Sequence, residues 1–194
     1  MPSNKDEMTK RMALAAPAHT VRGLVFNAVL KLIEKDLGKP AAEALRLPIS
    51  KRGLVDFFTY PASEFVKLLF VASDLLEPKL GGTDAAIRAC GAAAVSGFFD
   101  SGVGKTLISI VGRGDPKKLF SNAPTAYSTA VNYGVREYQA LGDKQVRLQF
   151  HGDMQPIAFH EGLLAEALKA VGCEGTVTGT SSTLEVAEYL IAWK

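Results

Sequence analysis

The segment from Gly102 to Thr106 (GVGKT) has the residue types and spacing that come nearest to a chemical signature. It resembles the end of a phosphate-binding loop, in which backbone N–H groups and a lysine hold phosphate oxygens. The complete motif needs a strand in front of the loop and a glycine five residues before Gly104, where this chain has Phe99. The alanine-rich residues 83–98 predict a helix instead of a strand. We therefore interpret GVGKT as a kink in a long helix, made possible by its glycines. A hydrolase or NTPase that uses this segment stays open as an alternative function.

Histidines and carboxylates in the last third of the chain have the chemistry of metal ligands. His151 ends a predicted strand, and His160 lies in the first turns of the next predicted helix, with Asp153 and Glu161 nearby in sequence. A metal site needs three or four convergent ligands with supporting hydrogen bonds, and no pair of histidines has helical ligand spacing. We therefore interpret these side chains as ordinary polar residues and predict neither a metal nor a cofactor.

No side chain has the sequence surroundings of a catalytic nucleophile. The motif G-x-S-x-G is absent, and Cys90 lies among alanines as a small apolar residue would. Cys173 follows the predicted C-terminus of a helix, where the helix dipole disfavours negative charge. We therefore predict no catalytic residues and no enzymatic activity.

Composition limits the classes to which the chain can belong. Its 194 residues are 47% hydrophobic and 22% charged, with a net charge of +2, which predicts a globular domain with its own core. The small, dispersed charge argues against nucleic-acid binding, and no apolar run reaches the roughly 18 residues of a membrane span. Two distant cysteines and a polar N-terminus predict a cytoplasmic protein with reduced thiols.

The order of periodic patterns predicts an α+β fold. Residues 1–18 form a short, loosely attached helical arm, and residues 19–194 form one domain. Its helical N-terminal two-thirds packs on a small antiparallel sheet, made of two hairpins with a helix between them. The final strand, residues 186–193, is apolar on both faces, which predicts a central or covered position and a largely buried Trp193.

Aromatic residues are frequent in and around the helical part. They could line an apolar ligand pocket between the helices and the sheet. The competing interpretation is that they pack together in the core. The candidate pocket residues are Phe65, Phe98, Phe99, Phe120, Tyr127 and Tyr133.

Small side chains recur along the predicted helix of residues 83–98. They allow a second helix to approach closely, either from the same core or from a second subunit, and we expect a homodimer. The candidate interface residues are Ala86, Ala89, Ala93 and Gly97.

Several short motifs carry a family resemblance. Their order is similar to that of a myxobacterial family of single-domain proteins whose function is not assigned. That family in turn resembles in fold pattern the H-NOX haem sensors, the 4-vinyl-reductase-type sensory domains and the TRAPP vesicle-tethering subunits. The resemblance implies an α+β domain with an apolar cavity. The motifs are residues 20–26 (TVRGLVF), 97–99 (GFF), 128–134 (STAVNYG), 159–164 (FHEGLL) and 189–193 (YLIAW).

The chain departs from the haem-binding members of this group. H-NOX proteins ligate haem through a histidine on a mid-chain helix, and this chain has no histidine between His19 and His151. The segment from Tyr133 to Arg136 does not reproduce their Tyr-x-Ser-x-Arg element. The resemblance therefore favours a cytosolic, non-enzymatic sensory or regulatory interaction module. It would bind a protein partner and a small apolar ligand, and a haem gas sensor is the less favoured alternative.

Overall fold

The computed structural model describes residues 4–111 and 114–194 and confirms the α+β architecture. A helical N-terminal part packs on a four-stranded antiparallel sheet built from two hairpins with a helix between them. The helices are α1 (Asn4–Ala13), α2 (Gly23–Leu37), α3 (Lys39–Arg46), α4 (Ala62–Leu80), α5 (Thr83–Asp100), α6 (Gly102–Val111), α7 (Pro116–Ser121), α8 (Ala123–Ser128) and α9 (Ile157–Ala170). The strands are β1 (Thr20–Arg22), β2 (Thr59–Pro61), β3 (Val135–Gly142), β4 (Gln145–His151), β5 (Gly175–Thr183) and β6 (Val186–Trp193).

Helices α2, α4 and α5 surround the larger group of buried apolar residues. On α2, Phe26, Val29 and Ile33 are fully buried and recur at helical spacing, so that one face of the helix turns inward. Gly38 ends this helix with a positive φ of 90°, which a glycine adopts readily. On α4, Phe65 contacts Phe26 edge to face, with ring centroids 5.1 Å apart. Periodic apolar spacing therefore builds the layer that faces the sheet.

A short ribbon of β1 and β2 replaces the predicted start of α2. Apolar spacing in the sequence predicts a helix from about Val21 to Leu37, but the helix begins at Gly23, because the preceding residues pair antiparallel with Thr59–Pro61. Gly23 permits this arrangement, since a Cβ there would lie 2.2 Å from the carbonyl oxygen of Val55. Pairing between such distant segments leaves no periodic pattern in the sequence, which is why the ribbon was not predicted.

Helices α5 and α9 cross at very short range because each contributes a glycine to the contact. A Cβ on Gly91 would lie 1.9 Å from the carbonyl oxygen of Phe159. A Cβ on Gly162 would lie 2.0 Å from the carbonyl oxygen of Arg88. Each helix therefore presents bare backbone to its neighbour, and this crossing fixes α9 between the helical layer and the sheet.

The candidate interface residues lie on α5. Ala86 is fully buried inside the chain, and a Cβ on Gly97 would lie 2.9 Å from the Cβ of Ala28 on α2. Ala89 and Ala93 are half-buried. The small residues therefore serve close packing within the chain, which is one of the two alternatives. The homodimer stays a prediction.

The N-terminal helix is packed onto the domain, where the sequence predicts a loosely attached arm. Arg11 on α1 is buried and donates hydrogen bonds to the carbonyl oxygens of Met154, Gln155 and Leu184. These acceptors come from the distant C-terminal part of the chain, so no local pattern reveals the attachment. Residues 1–3 of the arm lie outside the described residues.

The sheet has the strand order β3-β4-β6-β5, which places the last strand of the chain in its interior. Leu148 of β4 pairs with Tyr189 of β6, and both are buried beneath the helices. The opposite face is more open, since Leu190 is 38% exposed. The central position of the final strand is as predicted, but Trp193 is half-buried, and the described residues leave Leu190 on the opposite face partly exposed.

Replacing Gly91 with Ala should lower the free energy of unfolding by about 1–3 kcal/mol, because the added methyl group forces α5 and α9 apart. Urea denaturation would measure the change. Gly102→Ala is the matched control, since its Cβ meets nothing within 4 Å, and we expect a change within about 0.5 kcal/mol. Equal stability of the two variants would contradict a close crossing of α5 and α9.

Candidate functional site

A cavity of about 790 Å³ lies between the helices and the sheet. Side chains from α2, α4, α5, α6, α7, α8 and α9 form its walls, together with Arg136 of β3. Most of them are apolar, including Val25, Leu107 and Leu164. Its volume falls within the roughly 300–1,000 Å³ usual for small-molecule sites. The fold therefore encloses enough apolar space for a ligand.

Five of the six candidate pocket residues line this cavity, and one does not. Tyr133 is buried beside it and lines a smaller space of about 250 Å³, in a wall that also includes Tyr127 and Arg136. Its hydroxyl accepts a hydrogen bond from the side chain of Gln155. The five residues in the wall of the main cavity are Phe65, Phe98, Phe99, Phe120 and Tyr127.

The cavity opens to solvent beside two exposed apolar side chains. Phe57, in the segment before β2, is 78% exposed, and Val103 on α6 is 56% exposed, although both contribute to the cavity wall. Arg22 holds the segment before β2 in place by donating a hydrogen bond of 2.9 Å to the Phe57 carbonyl oxygen. The cavity wall therefore reaches the protein surface at these two side chains.

A buried polar cluster lies beside this apolar cavity, and the sequence analysis did not predict it as a site. It consists of Arg136, Asp153, Gln155 and His160, all of which are buried, with the hydroxyl of Tyr127. Arg136 faces inward because it alternates on β3 with the exposed Val135 and Glu137. The one available signal was a charged residue at an inward position of a predicted strand. The sequence analysis grouped Asp153 with His160 but interpreted both as ordinary polar residues, and their contacts with Arg136 and Tyr127 leave no local pattern.

The guanidinium of Arg136 is almost completely enclosed. Its Nη2 donates to the carboxylate of Asp153, and its Nη1 donates to the carbonyl oxygen of Tyr133. The guanidinium carbon lies 5.0 Å from the ring centroid of Tyr127 and 5.4 Å from that of Phe150, which adds cation–π attraction. Its Nε has no hydrogen-bond partner in the described residues.

His160 joins the cluster from the first turn of α9. Its Nδ1 lies 3.0 Å from the hydroxyl of Tyr127. Its Nε2 lies 3.3 Å from Oδ1 of Asp153, but the direction does not satisfy hydrogen-bond geometry, so this is an electrostatic contact. The Nε2 atom therefore also lacks a hydrogen-bond partner among the described residues. The ring of Tyr127 keeps some exposed area because it faces the cavity, while the burial of its hydroxyl raises its pKa well above the usual range.

Asp153 is the negative centre of the cluster. Burial alone would raise the pKa of its carboxyl. The nearby imidazole of His160, the guanidinium of Arg136 and the backbone N–H of Gln155 outweigh burial and hold that pKa well below the usual range. The N–H of Gln155 donates to Oδ1 over 3.0 Å. Arg136 and Asp153 are therefore both ionised, and their charges compensate each other.

The candidate metal ligands do not converge. The structure brings His160 and Asp153 together, but His151 is exposed. Glu161 points elsewhere and accepts hydrogen bonds from Arg88 and from the backbone N–H of Gly179. Within residues 4–111 and 114–194, no three His, Cys, Asp or Glu side chains are arranged to hold a metal ion.

The GVGKT segment forms the first turns of α6 and follows helix α5 directly, so the strand-to-helix geometry of a phosphate loop is not formed there. A Cβ on Gly104 would lie 2.0 Å from the carbonyl oxygen of Phe98, so this glycine serves the close packing of α5 and α6. Ser101 accepts hydrogen bonds from the N–H groups of Gly104 and Lys105.

Cys90 has the surroundings of an inert thiol. It is fully buried within the helical core, and burial raises its pKa to about 12. Cys173 is half-buried.

Replacing Asp153 with Asn should destabilise the fold by about 3–5 kcal/mol at neutral pH, because it leaves the charge of Arg136 buried without a counter-charge. The pKa of Asp153 is lower in the folded state than in the unfolded chain. Its stabilising effect is therefore present above the unfolded pKa and is lost as the pH falls through the folded pKa.

Urea denaturation across a series of pH values would test this expectation. The difference between wild type and Asp153→Asn should be largest at neutral pH and should shrink in strong acid. Asp143→Asn, at a fully exposed carboxylate, is the matched control and should have little effect. A difference that did not change with pH would show that Asp153 is not ionised in the folded protein.

Solved H-NOX domains share this fold. An H-NOX protein from S. oneidensis in the Fe(II)NO ligation state superposes with a TM-score of 0.72 at 15% identity, covering 89% of this chain and 99% of that chain. The Fe(II) unliganded H-NOX protein from K. algicida gives 0.67 at 14% identity, covering 89% and 96%. The IWP-051-bound H-NOX from Shewanella woodyi in the Fe(II)CO ligation state gives 0.64 at 20% identity, covering 88% and 93%. At such identities the likeness establishes the fold alone.

The predicted resemblance to H-NOX domains is thus confirmed at the level of fold, while the resemblance to 4-vinyl-reductase-type domains and TRAPP subunits stays a prediction. Across the described residues, no helix combines the length and apolarity needed to cross a bilayer. No curated protein matches the chain. The family model described as a protein of unknown function (DUF2378) matches residues 14–194, which is all of the chain beyond α1. The chain therefore belongs to the DUF2378 family.

Proposed function

We propose that this domain is a non-enzymatic sensory module that binds a small, predominantly apolar molecule in its internal cavity. The observation that carries the proposal is the cavity of about 790 Å³, walled by apolar side chains and bordered by one buried polar cluster. An apolar pocket with a few convergent polar groups is the usual form of a small-molecule site.

The likeness to H-NOX domains supports a sensory role, since the proteins with this fold include Fe(II), Fe(II)NO and Fe(II)CO forms and one with IWP-051 bound. By analogy, occupancy of the cavity would change the surface that the domain presents to a cytosolic protein partner or to a second copy of itself. Exposed Phe57 and Phe58 near the cavity mouth are suited to such a contact. Cytoplasmic location, the homodimer and the absence of enzymatic activity are part of this proposal.

Haem does not fit the residues of this cavity. Haem iron is held by His, Cys, Met or Tyr side chains. His160 is the one histidine of the described wall, and its ring nitrogens already lie against Tyr127 and Asp153. The described wall contains no cysteine or methionine, and α6 brings no histidine to it. Tyr127 is poorly suited as a ligand, because its raised pKa opposes the phenolate form. We therefore propose a ligand other than haem.

The alternative of a phosphate-binding enzyme has weaker support. Lys105 is exposed on α6, and the N–H groups around it are bonded within the helix start. Nothing in the described geometry favours it over ligand binding.

Filling the cavity should abolish ligand binding. Ala126 on α8 lines the cavity, so Ala126→Trp should occupy its space and reduce the binding of N-phenylnaphthylamine, a neutral apolar fluorophore, by at least about tenfold. Fluorescence enhancement on titration measures the binding.

Ala140→Trp is the matched control, because Ala140 is exposed on β3 and lies outside the cavity wall. It should bind the fluorophore as the wild type does. If the wild type did not bind the fluorophore, or if Ala126→Trp bound it equally well, the cavity would not be a ligand site.

A further inference from the structure

We propose that the surface around the cavity mouth docks on an anionic lipid bilayer, from which an apolar ligand then enters the cavity. This inference rests on the proposed function and adds the surface from which the ligand comes. Three features carry it: exposed apolar side chains at the mouth, basic side chains in the same segments, and a cavity wall whose polar side chains are engaged within the chain.

Apolar side chains are exposed where the cavity wall reaches the protein surface. Phe57 and Phe58, in the segment before β2, are 78% and 64% exposed, and Val103 on α6 is 56% exposed. We call these three side chains the mouth surface. Phe57 and Val103 also belong to the cavity wall, so the apolar lining continues from the cavity onto the outside of the protein. Clustered apolar side chains of this kind mark a contact with a protein or a membrane.

The backbone that carries the two phenylalanines is fixed on the start of α2. The N–H of Gly23 donates a hydrogen bond of 2.8 Å to the Phe58 carbonyl oxygen, and the side chain of Arg22 donates one of 2.9 Å to the Phe57 carbonyl oxygen. The N–H of Leu24 donates to the carbonyl oxygen of Asp56 over 3.1 Å. The fold therefore holds both rings at the surface through bonds to three consecutive carbonyl groups.

Basic side chains accompany the mouth surface. They come from the cavity wall, from the segment before β2 and from α6. The basic residues are Arg22, Lys51, Arg52 and Lys105, and all but the half-buried Arg22 are exposed. The acidic residues of the stretches 47–58 and 100–111 are Asp56 and Asp100, and Asp56 accepts a hydrogen bond of 2.7 Å from Asn27. Positive charge therefore exceeds negative charge around the mouth, which complements an anionic surface.

The combination of exposed aromatic and basic side chains favours a bilayer over a protein partner or a second copy. Lysine is depleted in protein–protein interfaces, whereas phenylalanine with lysine and arginine is usual where a protein lies on a membrane surface. On a bilayer, Phe57 and Phe58 would enter the boundary between headgroups and acyl chains. The basic side chains would reach the lipid phosphates along their flexible stems. Because Phe57 also lines the cavity, its opening would then adjoin the acyl region.

The inside of the cavity suits a molecule that dissolves in the acyl region. Three wall hydroxyl groups donate to carbonyl oxygens three residues earlier in the chain, and the other polar groups contact Tyr133, Tyr127 and Asp153. These engaged wall residues are Ser101, Ser128, Thr129, Arg136, Gln155 and His160. A wall of this kind favours hydrocarbon-like molecules, which partition into a bilayer and not into water.

Flotation of the full chain with lipid vesicles tests the docking. Vesicles of phosphatidylcholine alone are compared with vesicles that contain equal parts of phosphatidylcholine and phosphatidylglycerol. We expect binding to the anionic vesicles to be at least about tenfold tighter. Raising the salt concentration from about 0.1 M to about 1 M should weaken it, because the Debye length falls from about 10 Å to about 3 Å.

A double variant tests the apolar part of the mouth surface. Phe57→Ser with Phe58→Ser should weaken binding to anionic vesicles by at least about tenfold, because it removes the side chains that enter the bilayer. The matched control is Leu141→Ser with Leu190→Ser, at two partly exposed leucines of the sheet outside the cavity wall, and it should bind as the wild type does.

A second double variant tests the charges. Lys51→Glu with Arg52→Glu should abolish the preference for anionic vesicles. Lys144→Glu with Lys194→Glu changes the net charge equally at exposed residues outside the cavity wall, and it should keep the preference. If a variant does not fold, the wild-type comparison of the two vesicle compositions still decides whether an anionic bilayer is bound.

The outcomes separate this inference from the proposed function, because binding of N-phenylnaphthylamine is measured without vesicles. A wild type that binds the fluorophore but neither kind of vesicle would overturn the inference and leave the cavity a ligand site. Docking would also be wrong if Phe57→Ser with Phe58→Ser kept full vesicle binding, or if these changes dissociated a dimer that did not bind vesicles. Failure to bind the fluorophore would overturn the proposed function and, with it, the entry of a ligand from the bilayer.

Discussion

The buried ion pair between Arg136 and Asp153 is the interaction on which the arrangement of the site depends. Arg136 comes from β3, and Asp153 lies in the connection that leads from β4 into α9. The pair therefore fixes the start of α9 relative to the sheet. Breaking such a pair is far more costly than never having formed it, because the remaining charge stays buried alone. This constraint keeps the connection, and with it His160, in place beside the cavity.

The same connection is held from a second side by the N-terminal helix. Arg11 binds the carbonyl oxygens of Met154 and Gln155, immediately after Asp153. Two arginines from distant parts of the chain thus fix one short segment, Arg136 through a side chain and Arg11 through the backbone. Helix α1 therefore stabilises the connection between β4 and α9 from outside the cavity. Its polar sequence does not indicate this structural role.

Local periodicity in the sequence predicts the helices and strands of this fold well, but it predicts the contacts between them poorly. The alternation of residues 135–141 and 146–151, and the stripe on α9, indicate the hairpin and helix that the structure contains. The sequence also indicated which aromatic residues would line a cavity, since five of the six candidates do so. The contacts of Arg136 with Asp153 and Tyr127 could not be predicted from the sequence, because they form only when the sheet, α8 and α9 pack together. The ribbon of β1 and β2 and the contacts of Arg11 were missed for the same reason.

Core packing and ligand binding are compatible interpretations of the aromatic residues. Phe65 packs edge to face on Phe26 and on Phe159, with centroid distances of 5.1 Å and 5.7 Å, and it also borders the cavity. The ring therefore serves core packing and borders the cavity at the same time. A rigid aromatic wall of this kind holds its shape without an occupant, because edge-to-face contacts and not the ligand fix the rings.

The arrangement of helices and strands is shared with H-NOX domains, whereas the polar side chains beside the cavity are particular to this chain. The helical layer and the sheet recur in H-NOX domains at 14–20% identity, which shows that the architecture tolerates extensive replacement of side chains. The chemistry of the space is set by few residues, and in this chain an internal carboxylate stands beside the arginine of the cavity. Since a buried charge must be matched where it lies, that carboxylate compensates the charge of the arginine. Replacing Arg136 and Asp153 together would remove both charges without leaving either of them buried alone, which is how the charge of the site can change within one architecture.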